Sequence, residues 1–156
     1  MEQSLTILAA WFDAIGVGPW ARGSGDVYPV ANTLHLLGLV MLVGGIAIID
    51  LRIAGLWRAV PVGPLARALT PVASAGLAIM VASGAILFAA DGAALATSAT
   101  FRTKLVLIAV ALANAGLFRL AWRGREDFPV AARVMALVSV GLWLTIGAYG
   151  RFIAYS

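Results

Sequence analysis

Apolar residues fill four long, nearly uninterrupted stretches of the chain, separated by short polar segments. The stretches cover residues 29–49, 71–90, 101–118 and 130–150. A helix that crosses the roughly 30 Å hydrocarbon core of a bilayer needs about 20 mostly apolar residues. The pattern therefore predicts four membrane-spanning helices. Because the connections are short, we expect antiparallel neighbours and an all-α, up-down four-helix bundle that forms a single membrane domain over residues 1–156.

A shorter apolar pattern precedes the first span. Leu5, Leu8, Phe12 and Ile15 fall on one side of a helix drawn over residues 3–15, and glycine and proline follow directly. This segment is too short to span a bilayer. We expect it to be an amphipathic helix that lies at the membrane interface.

Composition agrees with the apolar pattern. Hydrophobic residues make up 62% of the chain and charged residues 12%, whereas soluble domains average about 45–50% apolar and about 25% charged residues. The net charge of +4 comes from basic residues scattered at the ends of segments. Since these residues form no patch, the charge argues against a nucleic-acid partner. The lipid bilayer is the expected environment.

The basic residues predict an orientation. One side of the predicted topology carries Arg52, Arg58, Arg67, Arg119, Arg123, Arg125 and Arg133, whereas the other side carries Arg22, Arg102, Lys104 and Arg151. Basic residues concentrate on the cytoplasmic side of membrane proteins. We therefore expect a multi-pass protein of the bacterial inner (cytoplasmic) membrane with both termini in the periplasm.

Polar residues gather near the outer ends of the predicted spans. Tyr28, Asn32 and His35 lie close to one side of the first span, Lys104 lies one turn into the third, and Arg151 ends the fourth. The spans bring no carboxylate to this depth. The pattern predicts a periplasm-facing pocket between the helices for a small anionic or polar ligand. In the alternative, Lys104 and Arg151 extend to the headgroups and His35 only bonds a neighbour.

A second pair is predicted at the inner edge. Arg133 and Arg151 are five helical turns apart and share one side of the fourth span. If the first and fourth spans are neighbours, Asp50 meets Arg133. Charges at membrane depth usually pair, so we predict a structural Asp50–Arg133 ion pair that fixes the register of two helices. Arg119 is an alternative partner for Asp50.

The residue types and their spacing do not predict a catalytic site or a metal site. The chain has no cysteine and one histidine, which excludes thiol catalysis and a zinc site built from this chain's soft ligands. No nucleophile stands beside a base, and no pair of carboxylates occurs within the spans. We expect no catalytic activity from this chain alone, and no metal unless His35 ligates a haem. A chain without any cofactor is the favoured interpretation, with haem and quinone left open.

Three stretches carry a family resemblance: "HLLGLVMLVGGIAIIDLRIAGL" (residues 35–56), "FRTKLVLIAVALANAGLF" (residues 101–118) and "GRFIAY" (residues 150–155). The chain resembles an uncharacterised family of small bacterial four-span inner-membrane proteins. The resemblance implies a shared membrane fold and brings no activity. It marks as matching positions His35, Asp50, Arg52, Lys104, Asn114, Arg151 and Tyr155.

One position departs from the family pattern. The third span of the family ends in a histidine where this chain has Arg119, which argues against a haem held by two histidines of one chain. Three functions stay open: a ligand-binding or solute-handling membrane protein, a redox subunit that binds haem or quinone through His35, and a structural subunit. A homo-oligomer or a larger membrane complex is a candidate partner.

Overall fold

The structure is a computed structural model that describes residues 1–125 and 127–153. The described residues form helices without any strand, which confirms the predicted all-α class. In chain order the helices are α1 (Glu2–Ala14), α2 (Val17–Gly23), α3 (Val27–Ala54), α4 (Val62–Thr97), α5 (Ala99–Trp122) and α6 (Val130–Ile153).

The four long helices α3 to α6 form the predicted bundle. Each is long and apolar enough to cross a membrane, by length and composition. The bent pair α1 and α2 also meets that criterion when its two helices are taken together, with a bend of 75° between them. We call the end of the bundle where α3 begins the outer end, and the opposite end the inner end.

Helix α4 is longer than the predicted second span. It begins at Val62, so Pro71 lies inside the helix rather than at its start. A proline inside a helix removes one backbone hydrogen bond, and α4 continues through that position. At the other end, Asp91 leaves the helical conformation (φ −117°, ψ 21°) and bends α4. This bend coincides with the predicted end of the span, beyond which the helix continues to Thr97.

The N-terminal segment contains one helix more than the sequence predicted. Helix α1 matches the predicted helix, whereas α2 follows Gly16, whose φ of 82° turns the chain. Glycine adopts this left-handed conformation without steric cost. Pro19 lies in the first turn of α2, where proline is tolerated. Location of α1 at a membrane interface remains a prediction.

Glycines set the contact between α3 and α4. A Cβ atom added at Gly38 would stand 2.8 Å from the carbonyl oxygen of Gly76, and one added at Gly76 would stand 2.7 Å from that of Gly38. The two backbones therefore touch. Lipid offers helices no hydrophobic drive to associate, so close packing at small residues provides the attraction.

Helix α3 lies between α4 and α6, and α6 lies between α3 and α5. The backbones of α4 and α5 come close to each other at few positions. Leu39 of α3 packs against Gly147 of α6, which fixes the antiparallel register of these helices. The central core consists of Leu42, Ala73, Met80, Ala111, Trp143 and Ile146. A smaller inner core consists of Ile53, Val62 and Ala136.

Candidate functional site

His35 lies on the inward side of α3 and is bonded to α4. Its Nδ1 atom is 3.0 Å from the Oγ atom of Ser83. The Ser83 hydroxyl in turn donates a hydrogen bond to the carbonyl oxygen of Ile79, at 2.6 Å. Ser83 is 3% exposed, so this chain of hydrogen bonds runs inside the bundle.

The bonds of Ser83 determine which nitrogen of His35 carries a proton. A serine hydroxyl has one hydrogen, and Ser83 gives it to Ile79. Its oxygen must therefore accept the hydrogen bond, and Nδ1 of His35 must donate it. In a neutral imidazole, Nε2 is then an acceptor with a free lone pair. His35 also has a backbone hydrogen-bond contact at Met80 of α4, so two groups hold the ring against α4, and Nε2 is the nitrogen that the Ser83 bond does not use.

Two glycines make room for the two basic side chains. A Cβ atom added at Gly84 of α4 would stand 3.2 Å from the Cε1 atom of His35. On the opposite side, a Cβ atom added at Gly150 of α6 would stand 3.3 Å from the Nζ atom of Lys104. We call His35, Ser83, Gly84, Lys104 and Gly150 the outer polar layer. It draws on all four long helices.

Among the residues that the structure describes, Lys104 of this layer has no acidic partner. It is close enough to His35 for the two charges to interact. Within residues 1–125 and 127–153 its ammonium group forms no hydrogen bond or ion pair. Three acidic side chains at the outer end are engaged elsewhere: Glu2 and Asp13 pair with arginines, and Asp91 faces the hydroxyl of Tyr28. A fourth, Asp26, lies directly before the first residue of α3.

Aromatic rings cover the layer on its outer side. The rings of Phe88 and Phe101 are stacked, with centroids 5.6 Å apart, and join α4 to α5. Phe88 is one turn beyond Gly84, and Phe101 is one turn before Lys104. Phe12 of α1 packs edge-on against Phe88, with centroids 6.2 Å apart. Helix α1 thus contributes to the outer cover of the layer.

The structure brings together two of the five residues that the sequence proposed for the ligand site, His35 and Lys104. Tyr28 and Asn32 are exposed, and Tyr28 faces Asp91 rather than the layer. Arg151 is exposed and lies level with His35, one turn outward from the contact between Leu39 and Gly147. Tyr155, which the family resemblance marks, lies outside the described residues.

The predicted ion pair between Asp50 and Arg133 does not form. The ion pairs of the described residues are Arg22–Asp13 and Arg102–Glu2. Asp50 faces the hydroxyl of Ser139 instead. Arg133 is exposed in the first turn of α6, six residues before Ser139 and hence about 9 Å away along the helix axis. Helices α3 and α6 are neighbours, as this prediction assumed, but Arg133 lies too far toward the inner end to meet Asp50.

Two arginines have roles that the sequence did not reveal. The Arg22 guanidinium pairs with Asp13 at 2.7 Å and donates to the carbonyl oxygens of Ala89 and Ala90, at 3.2 Å and 3.3 Å. These carbonyls lie just before the bend of α4 at Asp91. A cation at the end of a helical segment satisfies its carbonyl groups and its dipole.

Arg102 makes a similar set of contacts at the end of α4. Its guanidinium pairs with Glu2 and donates to the carbonyl oxygens of Ala96 and Thr97, at 3.2 Å and 3.3 Å. The two arginines thereby attach both ends of α1 to the last segment of α4. On sequence alone, Arg22 and Arg102 are indistinguishable from any basic residue that marks topology.

The described residues offer no cluster of three or more histidine, cysteine or acidic side chains that could hold a metal ion. A cavity of about 250 Å³ lies between α1, α2 and the bend of α4, with Asp13, Arg22 and Asp91 in its lining. Its charged groups are already paired with one another or with Tyr28. It is therefore a weaker candidate than the outer polar layer.

Comparison with known proteins does not indicate a function for this chain. No protein-family model, curated protein or solved structure matches the chain. The resemblance carried by residues 35–56, 101–118 and 150–155 therefore remains a resemblance, and a function must be argued from the residues of the site.

Proposed function

We propose that this multi-pass membrane protein binds a small anionic ligand in the outer polar layer, with His35 and Lys104 as the groups that contact it. One observation carries the proposal. Two basic side chains enter the same layer from α3 and α5, each beside a glycine of the neighbouring helix, and neither has an acidic partner among the described residues. Ionisable groups at membrane depth are costly and mark functional sites.

The chemistry of the two groups suits an anion. The Lys104 ammonium carries three donors and supplies a positive charge. The His35 ring can add a second charge by taking up a proton at Nε2, since Ser83 already accepts the hydrogen bond from Nδ1. A bound anion would favour that protonation and receive a hydrogen bond from it. Ser83 acts here as a positioning residue that fixes the orientation of the ring.

The orientation predicted from the arginines places this layer on the periplasmic side of a bacterial inner membrane. Asn32 and Arg151, which are exposed near the outer end, would then line the approach to the layer, and Tyr28 would lie at its rim. A homo-oligomer and a larger membrane complex remain predictions, as does the structural-subunit alternative.

Ligand binding is testable with inorganic phosphate as the first probe, and sulfate and acetate as further probes. We expect at least one probe to raise the melting temperature of the purified wild-type protein when it replaces chloride at constant ionic strength. His35→Gln and Lys104→Gln should each lose that shift. The control Arg58→Gln, at an exposed residue of the loop before α4, should keep it. Equal shifts in all four proteins, or no shift with any probe, would overturn the proposal.

A redox role is the second candidate, and the Ser83 bond favours it specifically. A histidine that donates from Nδ1 and leaves Nε2 free is typical of metal-ligating histidines, whose second nitrogen is held by a hydrogen bond. Haem could therefore take one axial ligand from His35, and a quinol hydroxyl could donate to the same Nε2 atom. A Soret band in protein purified from membranes would support haem and would displace the anion proposal, whereas a lipid extract that contains bound quinone would support quinone.

A further inference from the structure

A second polar group lies in the inner half of the bundle, far from the outer polar layer. Asp50 of α3 is fifteen residues beyond His35, which corresponds to about 22 Å along the helix. The Asp50 carboxyl faces the hydroxyl of Ser139 on α6. Its Oδ2 atom is buried and has no hydrogen-bond partner among the described residues. Asp50 therefore takes no part in the ligand binding that we propose for the outer polar layer.

The surroundings of Asp50 are apolar on both sides. One turn outward, Ile46 of α3 and Trp143 of α6 belong to the central core. One turn inward, Ile53 of α3 and Ala136 of α6 belong to the inner core. The indole Nε1 atom of Trp143 is itself buried without a partner among the described residues. The carboxyl therefore lies between two apolar clusters, in a helix long enough to cross a membrane.

Within residues 1–125 and 127–153, no cation forms an ion pair with this carboxyl. Arg67 of α4, Arg119 of α5 and Arg133 of α6 are exposed, and none forms an ion pair with Asp50. Arg52, the nearest arginine along α3, donates instead to the carbonyl oxygens of Val60 and Arg58. Ser139, which faces Asp50, is neutral.

An ionised carboxylate in an apolar interior is costly unless it is paired, and such groups become neutral instead. We propose that Asp50 is a proton-binding site: the carboxylate takes up one proton and becomes a carboxylic acid that shares a hydrogen bond with Ser139. Oδ2 is then the carbonyl oxygen of a neutral acid. Because a neutral oxygen loses less hydration than a charged one when it is buried, this state accounts for its lack of a partner.

The backbone of α6 holds Ser139, the hydrogen-bond partner of Asp50, in place. Asn114 of α5 donates a hydrogen bond to the carbonyl oxygen of Met135, at 3.2 Å. That carbonyl is four residues before Ser139 and so belongs to the turn that presents its hydroxyl. Loss of the proton would place an unbalanced negative charge between α3 and α6. The site therefore links proton binding to the packing of these two helices.

Infrared spectroscopy tests the proposal directly, since a protonated carboxyl has a C=O stretch that a carboxylate lacks. We expect the wild-type protein in lipid vesicles at pH 5 to show this band and Asp50→Asn to lose the part of it that Asp50 contributes. Asp13→Asn, at an exposed carboxylate paired with Arg22, should keep it. A spectrum in which wild type and Asp50→Asn have the same intensity in this band would overturn the proposal.

A melting experiment separates a proton from a metal cation. Raising the pH should lower the melting temperature of the wild-type protein, whereas Asp50→Asn, which mimics the neutral acid, should lack that component. Replacing sodium by choline at constant ionic strength should leave both proteins unchanged. If sodium instead raises the melting temperature of wild type and not of Asp50→Asn, the site binds a metal cation and the proton proposal fails. Neither result depends on ligand binding at His35 and Lys104.

Discussion

The Nδ1 atom of His35 and the Oγ atom of Ser83 lie 3.0 Å apart and join α3 to α4. Because Ser83 also donates to Ile79 within α4, the ring of His35 is attached to the backbone of a neighbouring helix through one hydroxyl. The contact both orients the ring and contributes to the association of two helices.

Ser83→Ala should destabilise the protein, since it removes the hydrogen bond between Nδ1 of a partly buried imidazole and the Ser83 hydroxyl. Side-chain hydrogen bonds between membrane helices contribute about 0.6–2 kcal/mol, and we expect a loss of unfolding free energy in that range. The measurement is reversible unfolding in mixed micelles. A double-mutant cycle with His35→Ala should give a coupling energy of similar size.

The matched control is Thr33→Ala, which removes a hydroxyl of α3 that bonds only to the carbonyl of Pro29 in its own helix, at 2.9 Å. This change should have little effect on stability. Coupling energies near zero between positions 35 and 83 would show that the contact does not join the helices.

Gly150→Ala should perturb Lys104 without unfolding the bundle. The added Cβ atom would stand 3.3 Å from the Nζ atom, and the flexible end of a lysine can move away at small cost. If Lys104 binds an anion, the melting shift produced by that anion should decrease. Gly141→Ala is the control on the same helix, because its Cβ atom would meet nothing within 4 Å. The same loss of response in both variants would contradict this interpretation.

Gly76→Ala should be far more disruptive, because the Cβ atom would stand 2.7 Å from the carbonyl oxygen of Gly38. A backbone atom cannot move aside as a lysine end can. Overpacking of this kind costs about 1–3 kcal/mol, and we expect a loss of unfolding free energy at the upper end of that range. Gly44→Ala on α3, with open space around it, should not lower stability. Equal stabilities of the two variants would mean that α3 and α4 are less closely packed than described.

The helices were predictable from sequence because a bilayer requires long apolar segments, and that requirement is visible in residue order. The partners of polar side chains were not predictable in the same way. In the sequence, Ser83 looks like the other small residues of the second span, which pack helices together. The residues around it do not indicate that it contacts His35. The Asp50–Arg133 prediction used helical periodicity, which gives the side of a helix but not how far two helices are shifted along each other.

The second helix of the N-terminal segment and the length of α4 were missed for a different reason. Gly16 and Pro19 predict the end of a helix because glycine and proline are unfavourable in a helix interior. Pro71 predicts the start of one because proline is favoured in the first turn. In the structure Gly16 turns the chain between two helices and Pro19 lies in the first turn of α2. The backbone preferences of glycine and proline thus predict the turn at Gly16 but not the helix α2 that follows it.

Phe12→Ala should open the outer polar layer to reagents. Phe12 packs on Phe88, which stacks on Phe101 above the layer, so its removal uncovers one side of that stack. The chain has no cysteine, and Ser83→Cys therefore provides a single thiol inside the layer. We expect a small methanethiosulfonate reagent to modify this thiol faster when Phe12→Ala is also present.

Ile7→Ala serves as the control for this experiment. Ile7 is on the same helix but 64% exposed, so its loss should leave the rate of modification unchanged. Weakening the attachment of α1 through Arg102→Gln, which removes the pair with Glu2 and the bonds to Ala96 and Thr97, should raise the rate as Phe12→Ala does. If only Phe12→Ala raises it, the ring alone covers the layer. If neither change raises it, α1 does not restrict access, and the layer is reached by another route, such as the side of the bundle where α4 and α5 approach each other least.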